Sequence, residues 1–235
     1  MLRTGIAGWS LPIKPTDPGS HLHHYSRSLR CVEVNSSFYR PHRPSTWARW
    51  ATETPPDFRF SIKAPKTITH EAKLRHTETL LSDFLEQIQP IIPKAGPILF
   101  QLPPSFAFDS VVVEDFLGLL RTVYEKEVVV EPRHATWFTP PVDSLLKKYL
   151  IARVAADPPK GAVEAGQPGG SMSLAYYRLH GAPRTYYSNY DDPFLVNLAA
   201  TIKTLNNAWV IFDNTALSHA YPNALRLQKL IAECG

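Results

Sequence analysis

Of eight short apolar runs along the chain, all but the first end on a polar or charged residue, and most are separated by a segment with helical spacing. The runs are Thr4 to Trp9, Cys31 to Asn35, Phe58 to Lys63, Pro97 to Gln101, Val128 to Glu131, Ile151 to Asp157, Tyr176 to His180 and Trp209 to Asn214. Parallel strands need crossover segments, and helices supply them, so the alternation predicts an α/β fold with a parallel sheet. Eight such units can close on themselves, which makes a TIM-type (β/α)8 barrel or a close variant the expected architecture. In such a barrel the polar strand ends Glu33, Lys63, Gln101, Glu131, Asp157, His180 and Asn214 ring one mouth, the end at which barrels place their chemistry.

The chain has 235 residues, near the minimum for an eightfold barrel, so residues 1–235 are read as one domain. It is 44% hydrophobic and 20% charged, and no apolar run approaches the roughly 20 residues a membrane span needs. The N-terminal residues enter the first strand without a secretory signal, so a cytoplasmic location is expected. Two cysteines, Cys31 and Cys234, suggest no disulfide framework. The formal charge of +4 and pI near 9.0 imply mild attraction to anions. The basic residues are scattered, however, so nucleic acid is a permitted partner and not a favoured one.

Helical spacing places a first helix at His21 to Leu29 and a second capped by Ser45 and ended by Pro55-Pro56. A third runs from Thr77 to Gln89, and Asp109 or Ser110 caps a fourth from Val112 to Tyr124. A short helix at Val142 to Tyr149 follows Pro140-Pro141. Between the sixth and seventh strands, Pro158 to Gly170 carries turn residues and no helical stripe, so a regular sixth helix is expected to be missing. Asp191 caps a helix reaching Leu205, and Tyr221 to Ala232 forms the last.

Several segments carry a more specific pattern: Gly8-Trp9-Ser10, Val32-Glu33-Val34-Asn35-Ser36-Ser37-Phe38-Tyr39, Phe60-Ser61-Ile62-Lys63-Ala64-Pro65-Lys66, Thr69-His70, Phe100-Gln101-Leu102-Pro103-Pro104-Ser105, Val130-Glu131-Pro132-Arg133-His134, Arg178-Leu179-His180-Gly181 and Asn214-Thr215. With these blocks, in order over nearly the whole chain, the sequence resembles the domain-of-unknown-function family 72, the YecE-like proteins. The resemblance implies an eightfold barrel or close variant and no established reaction. The chain departs from the family's pattern after Gly8-Trp9-Ser10, where Leu11-Pro12-Ile13 stands in place of a Tyr and Trp in a longer loop. It departs again at the last strand, where Asp213-Asn214 replaces a pair of asparagines.

Strand parity puts Glu33 and Asn35 on one face of the second strand, and Arg178 and His180 on one face of the seventh. Glu131 ends three consecutive valines, the pattern of a strand buried on both faces, so its carboxylate needs a partner. Lys63, ending its strand in the same layer, is the expected one. His180 suits general acid or base work because its ordinary pKa lies near neutrality, and Gly181 beside it admits a sharp turn. Arg133 offers a planar fork for carboxylate or phosphate.

These groups suggest an enzyme using acid and base chemistry on a small anionic substrate. Glu131, His180 and Lys63 are the expected catalytic residues. Glu33, Asn35, Gln101, Arg133, Arg178, Asp157 and Asn214 are expected around the substrate, with no cofactor. A rival is a metal-dependent phosphodiester hydrolase acting on nucleic acid through Glu33, Glu131, Asp157 and His180. Lys63 and Arg133 would oppose an ion there, so no metal is expected. Another rival is a non-catalytic module that uses the polar mouth to hold a ligand or partner protein. Oligomeric state is beyond the sequence.

Overall fold

A computed structural model describes residues 1–233; Cys234 lies outside the described residues, and Cys31 is a buried free thiol. Strand β1 (Leu2–Ile6) leads to α1 (His21–Ser26), where the Ser20 side chain accepts a hydrogen bond from the His23 amide. Strand β2 (Cys31–Val34) runs into one helical turn, α2 (Ser36–Tyr39), and then α3 (Pro44–Thr52). The Ser45 cap expected for α3 is not formed. Pro44 occupies the first turn, where its missing N–H has no partner to lose, and Arg43 precedes it.

Strand β3 (Arg59–Lys63) is followed by a π-helical turn at Thr67–Glu71 and by α4 (Glu78–Gln87). Strand β4 (Ala95–Gln101) precedes α5 (Ser110–Val123), which Asp109 caps by accepting from the Val112 amide. Next come β5 (Val128–Glu131), α6 (Pro140–Lys148), β6 (Ile151–Arg153) and β7 (Ala155–Asp157). Residues 158–174 hold a 3₁₀ turn at Val163–Gly166 and the short β8 (Gly169–Gly170), with no α-helix, as their turn residues predicted. The chain ends through β9 (Ala175–Leu179), α7 (Asp192–Lys203), capped by Asp191, β10 (Ala208–Phe212) and α8 (Ala220–Ala232). No helix among the described residues is long and apolar enough to cross a membrane.

Among the described residues the strands form two sheets, in the orders β1-β10-β9-β7 and β2-β3-β4-β5-β6-β8, and no single closed sheet. Every pairing is parallel except that of β8 with β6. The sheets approach each other at both margins. Ala7 bridges Glu33 in parallel register, and the Gly8 amide donates to the Glu33 carbonyl at 2.9 Å. On the other side, the extended segment 151–157 breaks at Val154, so that β6 pairs with β5 while β7 pairs with β9.

Helices cover the outer faces through an apolar layer that includes Val32, Phe100, Val130, Ala155, Leu179 and Phe212. A second, smaller cluster lies between the sheets: Cys31, Leu99, Val129, Ala152 and Val154 meet Tyr176, Trp209 and Ile211. Because side chains alternate along a strand, the residues two positions further on share this inner face. They are Glu33, Gln101, Glu131, Arg178 and Asp213. The inner face thus changes from apolar to ionisable toward the carboxyl ends.

The close seam between β1 and β2 depends on Gly5, where a Cβ would stand 2.3 Å from the Cys31 carbonyl oxygen. Backbone on both sides leaves nothing free to move aside. Gly5→Ala is expected to destabilise the protein by about 1–3 kcal/mol through overpacking, read as a lower urea midpoint. An unchanged midpoint would show that the two strands can separate without loss.

Candidate active site

Arg178 sits at the centre of the ionisable layer, fully enclosed, and is held by three carboxylates. Its Nε and Nη2 donate to Glu33 Oε2 and Oε1 at 3.0 and 2.8 Å, a bidentate fork. Nη1 donates to Glu131 Oε2 at 2.5 Å, and Nη2 also reaches Asp213 Oδ2 at 3.1 Å. Burial by itself would lower the Arg178 pKa, but Glu33, Glu131 and Asp213 together raise it well above its ordinary value. Beneath it, the Tyr176 hydroxyl donates to Glu33 Oε2 at 2.8 Å and lies 2.7 Å from Ser61 Oγ.

His180 bridges two of the same carboxylates. Its Nδ1 lies 3.0 Å from Asp213 Oδ2 and its Nε2 lies 3.2 Å from Glu131 Oε1. An imidazole with an acceptor on each nitrogen is best satisfied as the doubly protonated cation. Burial lowers its pKa, and the hydrogen bonds to Asp213 and Glu131 outweigh burial, so the net shift is upward. Burial would likewise raise Glu131, yet Arg178, Arg133 and His180 hold its carboxyl well below the usual range. Arg133 donates to Glu131 Oε1 from Nε and Nη2 at 3.1 and 2.9 Å, with its side chain 17% exposed. Gly181, at φ +90, turns the chain directly after His180. The loop then folds back so that the half-exposed Tyr186 stands edge-on to the imidazole at 6.1 Å.

Lys63 is not the partner of Glu131. Among the described residues it has no carboxylate at ion-pair distance; its ammonium donates to Gln101 Oε1 at 2.6 Å and lies 4.1 Å from the centre of the Phe38 ring. The reason is competition. Arginines 178 and 133 offer several donors each and engage Glu131 from two sides, leaving a point charge nothing to add. Burial, and then Arg178, push the lysine pKa down to about 8 against the opposing pull of Glu33, Glu131 and Asp213. His70, packed edge-on against Phe38, is lowered by burial and by its cationic neighbours Lys63 and Arg133.

Three other expected residues stand apart. Asn35 does not share the face of Glu33, because β2 ends at Val34 and Asn35 has helical backbone at the start of α2. It lines a cavity of about 380 Å³ with Gly8, Trp9, Ser10, His21 and Ser36. Asp157 has the parity of Ala155, so it faces outward and accepts from the Tyr190 hydroxyl at 2.7 Å. Asn214 has the parity of Phe212 and donates to Ser188 O and Asn223 Oδ1. Asp213 is the inward residue of that strand end. The alternation from Trp209 through Ile211 is the signal that identifies it, as the alternation from Arg178 back identifies Tyr176. Nothing in the sequence points to Tyr186.

The four residues required by the metal-hydrolase alternative do not converge, since Asp157 faces away. Between Glu33 and Glu131 the Arg178 guanidinium occupies the place a cation would take. The donors that remain are already engaged: Glu33 by Arg178, Glu131 by Arg178 and Arg133, and both His180 nitrogens by Asp213 and Glu131.

Comparison with known proteins agrees with this architecture. Over 106 residues the chain is 38% identical to the UPF0759 protein YecE of Escherichia coli (strain K12), a match covering 45% of this chain and 39% of that protein. It is 27% identical over 151 residues to the UPF0759 protein YunF of Bacillus subtilis (strain 168), covering 60% of this chain and 54% of that protein. The matched region thus spans well under two thirds of either relative. Among solved structures, a DUF72 family protein from Thermotoga maritima superimposes with a TM-score of 0.84 at 26% identity, covering 98% of this chain and 99% of that one. One from Enterococcus faecalis V583 gives 0.82 at 22% identity, covering 98% and 97%. The family described as "Protein of unknown function DUF72" matches residues 3–234, and the chain belongs to that family.

Proposed function

We propose that this protein is an enzyme that binds a small anionic substrate at the carboxyl ends of its strands and works on it by acid and base chemistry. We further propose that those strands close into an eightfold barrel, with the Ala7–Glu33 bridge and the shared segment 151–157 as its two seams. The observation that carries the reading is the opposite displacement of two groups that surround the same carboxylates. His180 is held toward its protonated form between Asp213 and Glu131, whereas Lys63 is pushed toward its free base. Both shifts bring the group's pKa toward the neutral range, where a side chain can give up or take a proton most effectively.

In this reading His180 is the acid and Lys63 the base. Glu131 is a stabiliser, because a carboxyl held so low is a poor proton acceptor. Glu33, with both oxygens engaged by Arg178 and Tyr176, positions Arg178 instead of meeting substrate. Arg133 is the cation able to receive the substrate's anionic group, as the most exposed member of the arginine pair.

Thermal shift with inorganic phosphate, acetate and small hydroxy acids tests the binding half. An anion at about 100 times its Kd should stabilise the parent by roughly 2.7 kcal/mol. Arg133→Met should fold like the parent, since Glu131 keeps Arg178 and His180, and should lose the shift. His180→Gln should keep anion binding and lose turnover. A parent that no anion stabilises, or an Arg133→Met variant that retains the shift, would refute the reading. Saturable binding without product would favour the non-catalytic module.

A further inference from the structure

We propose that the Lys63 amine is a covalent nucleophile that captures a carbonyl carbon, so that the substrate class of this site is a small aldehyde or keto compound bearing an anionic group. The anionic group rests on the reading above; the carbonyl rests on Lys63 alone.

A lysine withdrawn from solvent ordinarily has several acceptors around its ammonium. Lys94, partly buried, shows the pattern: its ammonium donates to the carbonyls of Ala51, Thr54 and Pro55 and contacts Thr54 Oγ1, so it closes the end of α3. Lys63 is only 7% exposed and has one acceptor, Gln101 Oε1. The acidic groups of its layer are committed elsewhere, Glu33 to Arg178 and Tyr176, Glu131 to two arginines and His180, Asp213 to Arg178 and His180. Phe38 covers one side of the amine.

This geometry leaves the Lys63 nitrogen with a direction to spare and no carboxylate holding its proton. Burial and the Arg178 charge make the free base accessible near neutral pH, and Glu33, Glu131 and Asp213 oppose them only in part. Gln101 fixes the nitrogen at the end of β3 without neutralising a charge. His180 and Arg133 lie in the same layer, joined through Glu131.

The step is a condensation. The lone pair of Lys63 Nζ forms a bond to the carbonyl carbon, the C=O π bond opens, and a proton passes from nitrogen to oxygen to give a carbinolamine. Loss of water then forms the C=N bond of an imine. No electrons are gained or lost overall, and the imine carbon is the position at which added hydride would trap the adduct as a secondary amine.

The test uses the unaltered protein at pH 7 with glyoxylate, or with uncharged propionaldehyde, each with cyanoborohydride, followed by peptide mass mapping. At that pH a lysine of pKa about 8 holds about 200 times more free base than an ordinary lysine near 10.4. Lys63 should therefore be labelled at least about 10-fold faster than the exposed Lys14, Lys126 and Lys147, despite its burial. Glyoxylate should react faster than propionaldehyde, and Arg133→Met should erase that preference. Labelling that falls on exposed lysines and spares Lys63 with both reagents overturns the imine proposal, and leaves the anion-binding reading intact if phosphate still stabilises the protein. Equal labelling of Lys63 by both aldehydes upholds the nucleophile and counts against the anion site.

Discussion

Arg178→Met is expected to leave the protein unfolded at neutral pH. Breaking one buried ion pair from one side costs about 3–5 kcal/mol, and this substitution strips the guanidinium from three carboxylates at once. Total stabilities of about 5–15 kcal/mol leave little after such a loss. The pH dependence should also reverse sign. In the parent, Glu131 and Asp213 have lowered pKa values, so the stability they contribute is present above the unfolded value of about 4 and is lost as pH falls through the lower folded values. With Arg178 gone, both groups lose the largest influence opposing desolvation and the folded values rise. The variant should then be least stable at neutral pH and gain as the pH drops toward 4 and the carboxyls take up protons. Arg178→Lys should rescue little, because one ammonium cannot reproduce the two-pronged contact with Glu33 while reaching Glu131 and Asp213. Urea denaturation followed by circular dichroism from pH 4 to 8 decides it. A variant that melts like the parent at pH 7 would mean that water or rearrangement satisfies these carboxylates, and the central role given to Arg178 would fall.

The strands were legible because their composition is one-sided. Val128 to Glu131 is all apolar before its last residue, and the structure returns the same four-residue strand. Asp109 and Asp191 announced their helices as side chains able to accept from a free amide, and both do so. Ser45 was misleading because Pro44 before it already suits the first turn. The run 151–157 reads as one strand in sequence. In three dimensions it serves two neighbours, since the ladder passes from β5 to β9 at Val154, and no local pattern reports which partner each half takes.

The candidate site was legible wherever parity was carried to the strand's end. Arg178 and His180 follow Tyr176 at intervals of two, and all three lie inside. Applied to the last strand, the same rule from Trp209 and Ile211 selects Asp213 over Asn214; applied to Val154, it sends Asp157 outward. Pairing was less accessible than position. Glu131 visibly needed a cation, but the chain offers Lys63, Arg133 and Arg178 within the same layer, and the choice depends on guanidinium geometry that only the assembled sheets define. Tyr186 depends on a loop that folds back over His180, a contact with no periodic signature.

Lys63→Met should behave in the opposite way to Arg178→Met, although both remove a buried cation. Lys63 leaves no carboxylate behind, since its acceptor is the Gln101 amide oxygen. Its folded pKa of about 8 lies below the unfolded value near 10.4, so the charged lysine weighs against the fold by on the order of 3 kcal/mol at pH 7. Methionine retains most of the apolar stem against Phe38, and the orphaned Gln101 oxygen gives back about 1 kcal/mol. A net stabilisation of about 2 kcal/mol is therefore expected at pH 7. The sign follows from proton counts: between pH 8 and about 10.4 the unfolded chain binds more protons than the folded one, so the parent's stability rises with pH there while the variant has no such group. The variant's advantage should be full below pH 8 and should disappear by about pH 10.4. Urea midpoints at pH 7 and pH 10, compared for parent and variant, measure it. If Lys63→Met is instead less stable than the parent at pH 7, the lysine is pairing with a carboxylate of the layer, its amine is not free, and both the base and the nucleophile assigned to it are wrong.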